Sequence, residues 1–135
     1  MNRIYQVCVE KQYIEAFELV AKITGIASYK YTLLFLSNLY RFDLIEIPLA
    51  TKRQMKKIAM TPQKGERWAI SMKGDESCDL NIRLTKKKME EEFGVKLTLT
   101  GAVRGLIFLA TEFLRQKHPK AYAYLMRQNF KTESF

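Results

Sequence analysis

The stretch that decides the expected fold is Asp79-Leu80-Asn81-Ile82-Arg83-Leu84-Thr85, in which apolar and polar side chains alternate. Successive side chains of a β-strand point to opposite faces of a sheet, so a two-residue period is typical of a half-buried strand. A strand is therefore predicted over residues 79–85. Its predicted buried face consists of Leu80, Ile82 and Leu84, and its polar face of Asp79, Asn81, Arg83 and Thr85.

The polar face carries side chains that match the edges of DNA bases. Asn pairs bidentately with adenine and Arg with guanine in the major groove, and a carboxylate can accept a hydrogen bond from cytosine. A two-stranded β-ribbon fits that groove. Base reading is therefore predicted for Asn81 and Arg83, with Asp79 as a third reader. Because one strand cannot form a ribbon alone, the pattern also predicts a homodimer. The core of that intersubunit ribbon would be Leu80, Ile82 and Leu84.

Two helices are predicted directly after this strand. Met89 and Phe93 lie four residues apart on a short helix that Gly94 ends. Thr98 or Thr100 then caps a longer helix. The apolar side of that helix carries Ala102, Val103, Leu106, Ile107, Ala110, Phe113 and Leu114. Unbonded backbone N–H groups and the helix dipole favour an anion at its start.

The order of strand, short helix, capped turn and long helix over residues 79–115 resembles the ribbon-helix-helix family of DNA-binding proteins. The resemblance is carried by residues 80–84 and 98–107. It implies that two protomers pair their strands antiparallel and insert the ribbon into the major groove. It also implies that the start of the second helix holds a DNA phosphate. The phosphate contacts expected on this basis are Thr85, Lys86, Lys96, Thr98 and Thr100.

The rest of the chain predicts helices and two further short strands. They are a strand at 3–9, helices at 10–24, 26–42 and 51–60, the last capped by Thr51, a strand at 67–72, and a final helix that Pro119 opens. Four basic residues share one broad face of the third helix and are either solvated or in contact with flanking DNA, namely Lys52, Arg53, Lys56 and Lys57. No internal repeat is apparent. The predicted fold is mainly α with a short β-ribbon. It is divided into an N-terminal helical region (1–65), a strand and loop (66–78), the ribbon-helix-helix module (79–115) and a C-terminal helical extension (116–135).

Composition narrows the classes of function. The formal net charge of +9 favours an anionic partner. Cys8 and Cys78 lack CxxC spacing, so a metal site or a disulfide framework is not expected and a reducing cytoplasm is the simplest compartment. The most apolar stretch, residues 31–42, is shorter than the roughly 18 residues that span a bilayer. His118 is the single histidine, and no nucleophile or Gly-rich phosphate loop accompanies it. Neither an enzyme nor a cofactor is expected.

These patterns predict a cytoplasmic homodimer that binds double-stranded DNA and regulates transcription. One alternative keeps DNA binding but places it in plasmid transfer or partition, as in other mobile elements. A second alternative is a protein–protein adaptor or antitoxin-like module, in which the N-terminal helices dock an additional protein partner.

Overall fold

The structure is a computed structural model that describes residues 4–62 and 64–133. Its elements in chain order are β1 (Ile4–Val9), α1 (Lys11–Thr24), α2 (Tyr29–Arg41), α3 (Leu49–Met60), β2 (Glu66–Ser71), α4 (Glu76–Phe93), α5 (Leu99–Lys117) and α6 (Pro119–Glu133). The prediction of a mainly α fold with a short β-ribbon is confirmed at this coarse level, although the ribbon is formed by β1 and β2 of one chain. Arg3, where the first predicted strand begins, and the last two residues of the predicted C-terminal extension lie outside the described residues.

A strand followed by two helices occurs twice, as β1-α1-α2 and as β2-α4-α5. The two strands pair antiparallel, from Ile4 opposite Ser71 to Val9 opposite Glu66. The helices exchange partners between the two units, because α1 packs on α5 and α2 packs on α4. The second helices, α2 and α5, also contact each other. An antiparallel strand pair has a local two-fold axis. Exchanging the two units turns the contact between α1 and α5 into the contact between α4 and α2, which also exists. The two units are therefore related by an approximate two-fold axis within one chain.

The junction between the two helices has the same construction in both units. Gly25 and Gly94 end the first helices in the left-handed conformation, at φ 73° and 68°. In both, the N–H of the next residue donates to the carbonyl five residues earlier, which is the Schellman arrangement. Ser28 and Thr98 then cap the second helices by accepting from the N–H three residues later, at 3.2 and 2.9 Å. The chain therefore contains an internal repeat that is not apparent in its sequence.

The core lies between the inner face of the ribbon and the helices around α5. Tyr5, Val7 and Val9 of β1 and Ile70 of β2 are buried. Every residue over 101–110 of α5 is buried as well. A helix that is enclosed on all sides occupies the centre of its fold, and α5 contacts α1, α2, α3, α4, α6 and β1.

The helix α3 connects the two units and packs on α5. Arg104 is 5% exposed, and its guanidinium donates from Nε to the Ile58 carbonyl at 3.0 Å and from Nη2 to the Ala59 carbonyl at 2.9 Å. These carbonyls lie in the last turns of α3, where a cation offsets the negative end of the helix dipole. Burial lowers the pKa of the Arg104 guanidinium. A Cβ at Gly101 would lie 2.3 Å from the Ala59 oxygen. The end of α3 is therefore held directly against the start of α5.

Residues 79–85 are helical and lie within α4, so the prediction of a strand there is wrong. Asp75 caps this helix by accepting from the N–H of Cys78 at 3.0 Å, and acidic residues follow in its first turn. The buried positions of α4 recur at three- and four-residue steps and are Cys78, Asp79, Ile82, Thr85 and Met89. The predicted ribbon core is therefore wrong too. Ile82 is buried, whereas Leu80 and Leu84 are 56% and 39% exposed.

Helix starts account for two smaller corrections. The second predicted helix begins at Tyr29, because Ser28 caps it. The third begins at Leu49 after Pro48, so Thr51 lies inside the helix and does not cap it. The Thr51 hydroxyl instead donates to Glu112 Oε1 at 2.6 Å.

None of the described helices, taken singly, has the length and apolar character that a membrane span requires.

Candidate nucleic-acid interface

The β1–β2 ribbon presents one face to solvent, which we call the outer ribbon face. It consists of Ile4, Gln6 and Cys8 on β1 and of Arg67, Ala69 and Ser71 on β2. All of these residues are exposed except Cys8, which is half-buried. Across the strands, Gln6 lies opposite Ala69 and Cys8 opposite Arg67. The face therefore consists of three cross-strand pairs of outward residues on two antiparallel strands.

Two side chains of this face have hydrogen-bonding groups available. Within the described part of the chain, neither the Gln6 nor the Arg67 side chain forms a hydrogen bond or an ion pair. The amide of Gln can bond adenine bidentately, and the guanidinium of Arg can bond guanine. The Ser71 hydroxyl accepts from the Lys73 N–H at 3.2 Å, and a serine can contact any base. Ile4, at 54% exposed, offers an apolar surface of the kind that contacts a thymine methyl group.

The inner side of the ribbon determines which residues point outward. The Tyr5 hydroxyl donates to the Asp79 carboxylate, which ties β1 to α4. The Trp68 ring packs against Phe17 and Tyr29, with centroids 5.2 and 4.8 Å apart. A one-residue slip in register would turn every one of these side chains to the opposite face. Burial of the inner side chains therefore holds Gln6 and Arg67 outward.

The second helix of each unit contacts the ribbon. Tyr29, the first residue of α2, packs on Trp68 of β2, and α5 packs along β1. The first N–H groups of a helix have no partner within it and attract anions. Lys96 is exposed just before α5, and its neighbour Thr98 caps that helix. Lys30 of α2 is partly neutralised by Asp75 at 3.6 Å.

The three base readers predicted from the alternating stretch do not form an outward row. Asp79 is 2% exposed and accepts from Tyr5 and, at 2.9 Å, from Arg83 Nε. The half-buried Asn81 accepts from Ser37 Oγ at 2.8 Å and also donates to a side chain of α2. Arg83 is exposed on α4, and its hydrogen bond with Asp79 raises the pKa of its guanidinium. Their expected placement on a ribbon is therefore wrong.

The residues expected to contact phosphate lie in different surroundings in the structure. Thr85 is fully buried between α2 and α4, where it bonds Ser37 Oγ at 2.5 Å, so it cannot contact a phosphate. Lys86 pairs with Glu90 at 3.2 Å on α4. Lys96, Thr98 and Thr100 lie at the start of α5, where Thr98 is the cap. A phosphate at that helix start remains a prediction.

The basic residues of α3 also differ in ion pairing and in exposure. Lys52 forms an ion pair with Glu92 at 2.5 Å. Arg53 and Lys57 are exposed, and Lys56 is half-buried. Contact with flanking DNA remains a prediction for this helix.

One cleft elsewhere brings polar groups together. It lies between α1, α3, α5 and α6, has a volume of about 260 Å³, and is lined by Tyr13, Phe108 and Glu112 among others. The Glu112 carboxylate is 3% exposed and already accepts from Thr51 at 2.6 Å and from Arg115 at 2.6 Å. Its charge is therefore satisfied within the protein. No group of three or more His, Cys, Asp or Glu residues in the described ranges could hold a metal ion.

The candidate site residues that the sequence analysis missed are Gln6 and Arg67. Both lie in stretches where a strand was predicted. Gln6 lies between Tyr5 and Val7, and Arg67 precedes Trp68. Their outward direction follows only once the two strands are paired. No family model, curated protein or solved structure matches this chain with significance.

Proposed function

We propose that this protein binds double-stranded DNA sequence-specifically by inserting the outer ribbon face into the major groove. The observation that carries the proposal is an antiparallel ribbon whose exposed side holds Gln6 and Arg67, in a chain of net charge +9. Amide and guanidinium groups are the side chains best matched to adenine and guanine. The excess positive charge adds affinity for the phosphate backbone without selecting a sequence.

The dimensions of the ribbon support this function. Each strand has six residues, which corresponds to about 20 Å at roughly 3.3 Å per residue. The major groove is about 12 Å wide and admits a two-stranded ribbon. The start of α2, where Tyr29 packs on Trp68 of β2, is suited to hold a phosphate beside the groove, and the exposed Lys96 before α5 adds a positive charge for a second one.

The proposed architecture is that of a ribbon-helix-helix dimer completed within one chain. The unit β2-α4-α5 supplies one strand and two helices, and β1-α1-α2 supplies the other. The strand of the C-terminal unit is β2, which precedes the stretch at 79–85 that was expected to hold it. The second copy that a lone strand would require is therefore not needed to complete the ribbon. Regulation of transcription and plasmid transfer or partition would use the same face, and the location of the bound sites distinguishes these roles.

The test compares two variants that remove the same charge. A duplex bound by the full chain is first selected from a random-sequence library. Arg67→Ala should weaken binding to that duplex by about 1–3 kcal/mol, because a guanine contact is lost. Arg83→Ala, on the surface of α4, should retain base preference. Equal affinity of wild type and Arg67→Ala for the selected duplex would contradict the proposal.

Salt dependence gives a second, independent measurement. If several phosphates are contacted, the logarithm of the binding constant should fall linearly with the logarithm of salt concentration, with a slope of about −0.9 per phosphate. A complex whose affinity did not change with salt would not be a DNA complex of the proposed kind.

A protein-docking function is the second candidate, and a different surface favours it. Phe42, Leu44 and Leu49, in and beside the segment between α2 and α3, are 55%, 60% and 64% exposed. Exposed apolar side chains that are close together mark interaction surfaces. An adaptor would lose its partner on Leu44→Ser and Leu49→Ser, whereas DNA binding through the outer ribbon face would not change.

A further inference from the structure

The two strands of the ribbon present different chemistry to a bound duplex. The outward residues of β1 are Ile4, Gln6 and Cys8, whereas those of β2 are Arg67, Ala69 and Ser71. No residue type of one set recurs in the other. In a homodimer, both strands have the same sequence, and the preferred DNA site repeats that two-fold symmetry. Here the backbone is nearly two-fold symmetric and the side chains are not.

The difference between the strands also gives the ribbon two unlike ends. At one end Arg67 lies opposite Cys8, and at the other end Ile4 lies opposite Ser71. Gln6 lies between them, opposite the small side chain of Ala69. The first end favours guanine, the centre favours adenine, and the Ile4 end favours the methyl group of thymine. The charge of the face is concentrated at the Arg67 end.

We infer that one copy of this chain recognises a directional DNA site that has no two-fold symmetry, of about six base pairs for a ribbon of this length. This inference rests on the proposed DNA-binding function and adds the class of site. A single chain supplies both strands, so one chain per site completes the recognition surface. Because the two ends of the ribbon read different bases, the bound protein has a defined orientation along the DNA.

The orientation has a structural consequence at the flanks. The helix α3 leads into β2, the first element of the second unit, and its end lies against the start of α5. The start of α2 instead contacts the cap of α4, through the bonds of Tyr31 and Lys30 with Asp75. The two ends of the helix pair α2 and α5 therefore have different neighbours.

The experiment selects duplexes from a random-sequence double-stranded library with wild type, Arg67→Ala and Gln6→Ala, using the full chain. Wild type should enrich a motif that differs from its own reverse complement. Arg67→Ala should lose preference at one end of that motif only, with a drop of roughly 5- to 150-fold for the wild-type sequence. Gln6→Ala should relax a different, more central position. Both substituted residues are exposed, and circular dichroism establishes that the variants are folded.

Stoichiometry is measured by sedimentation of the fluorescently labelled, selected duplex with the protein. One chain per duplex is expected. A palindromic motif that Arg67→Ala relaxes at two symmetric positions, or a duplex that requires two chains, would overturn the inference while leaving DNA binding intact. If no motif is enriched with wild type, base reading itself is wrong, and the inference falls with it.

Discussion

Replacement of Asp79 by alanine tests whether this side chain supports the fold or reads DNA. In the structure its carboxylate is 2% exposed, accepts from the Tyr5 hydroxyl of β1, and accepts from Arg83 Nε at 2.9 Å. Asp79→Ala therefore removes a contact between the ribbon and α4, and it leaves the buried Tyr5 hydroxyl without this acceptor. The variant should be less stable than the wild type, with or without DNA.

The magnitude follows from the contacts that are lost. Removal of the acceptor from a buried hydrogen bond, such as the one that Tyr5 donates to Asp79, costs about 1–3 kcal/mol. The Arg83 contact adds little, about 0.2–1 kcal/mol, because the Arg83 side chain is 43% exposed and screened by solvent. A carboxylate in the first turn of a helix contributes about 0.3–1 kcal/mol through the helix dipole. The free energy of unfolding should therefore fall by about 1.5–5 kcal/mol.

Glu76→Ala is the matched control. Glu76 also lies in the first turn of α4, carries the same charge, and is exposed. Its replacement should lower the free energy of unfolding by only the dipole contribution, about 0.3–1 kcal/mol. The measurement is urea unfolding followed by circular dichroism, with linear extrapolation to water.

A double-mutant cycle with Tyr5→Phe isolates the hydrogen bond between β1 and α4. The two changes should be non-additive by more than about 0.5 kcal/mol, because the residues are in contact. If Asp79→Ala and Glu76→Ala were equally stable, the buried contact would not exist. If Asp79→Ala kept wild-type stability and lost DNA binding, an outward Asp79 would be the correct placement.

Three further predictions concern other parts of the molecule. Arg104→Met should lower the free energy of unfolding by about 2–4 kcal/mol, because two carbonyls of α3 lose a charged donor, whereas the exposed Arg53→Met should be near neutral in the same urea unfolding. Burial raises the pKa of the Cys78 thiol to about 11, so a maleimide at pH 8 should modify Cys8 first, and a bound duplex covering the outer ribbon face should slow that reaction. Equal rates with and without DNA, read by mass spectrometry, would place the duplex elsewhere. A backbone N–H bond lowers the pKa of Glu90 below its ordinary value of 4.5. Its stabilising effect is therefore present above pH 4.5 and lost as the pH falls through the lowered pKa, so Glu90→Gln should show a shallower acid decline in thermal unfolding than wild type.

Local patterns in the sequence were sufficient where neighbouring residues decide the conformation. The ends of α1 and α4 at Gly25 and Gly94 were predicted correctly, because a left-handed residue after an amphipathic run needs only local information. The strands near 4–9 and 66–71 were also predicted. The confirmed capping role of Thr98 belongs to the same class of local signals.

The stretch at 79–85 was misassigned because its apolar residues fit both the two-residue period of a strand and the 3.6-residue period of a helix. Leucine and isoleucine alternate there with polar residues, yet Ile82 also lies four residues after Cys78 and three before Thr85, and Met89 follows Thr85 by four. The choice between strand and helix depends on Asp75 as a cap and on α2 as a packing partner. The latter contact joins residues far apart in sequence, which a local period cannot reveal.

The candidate site was missed because it depends on the pairing of distant strands. Gln6 and Arg67 each lie in a stretch whose pattern predicts an ordinary strand. Only the pairing of β1 with β2 shows that these side chains share one exposed face. The repeat itself was hidden because its two units retain the same turns and caps with different side chains on the strands.

The pairing of β1 with β2 also determines when the ribbon can form during synthesis. The two strands are separated by α1, α2 and α3, so closing this contact carries the entropy cost of a long loop. Until β2 leaves the ribosome, β1 is an unpaired edge strand whose Tyr5, Val7 and Val9 have no complete core to enter. Such edges pair readily with other chains. The nascent N-terminal unit is therefore the stage at which this protein is most exposed to aggregation, and synthesis of the second unit ends that exposure.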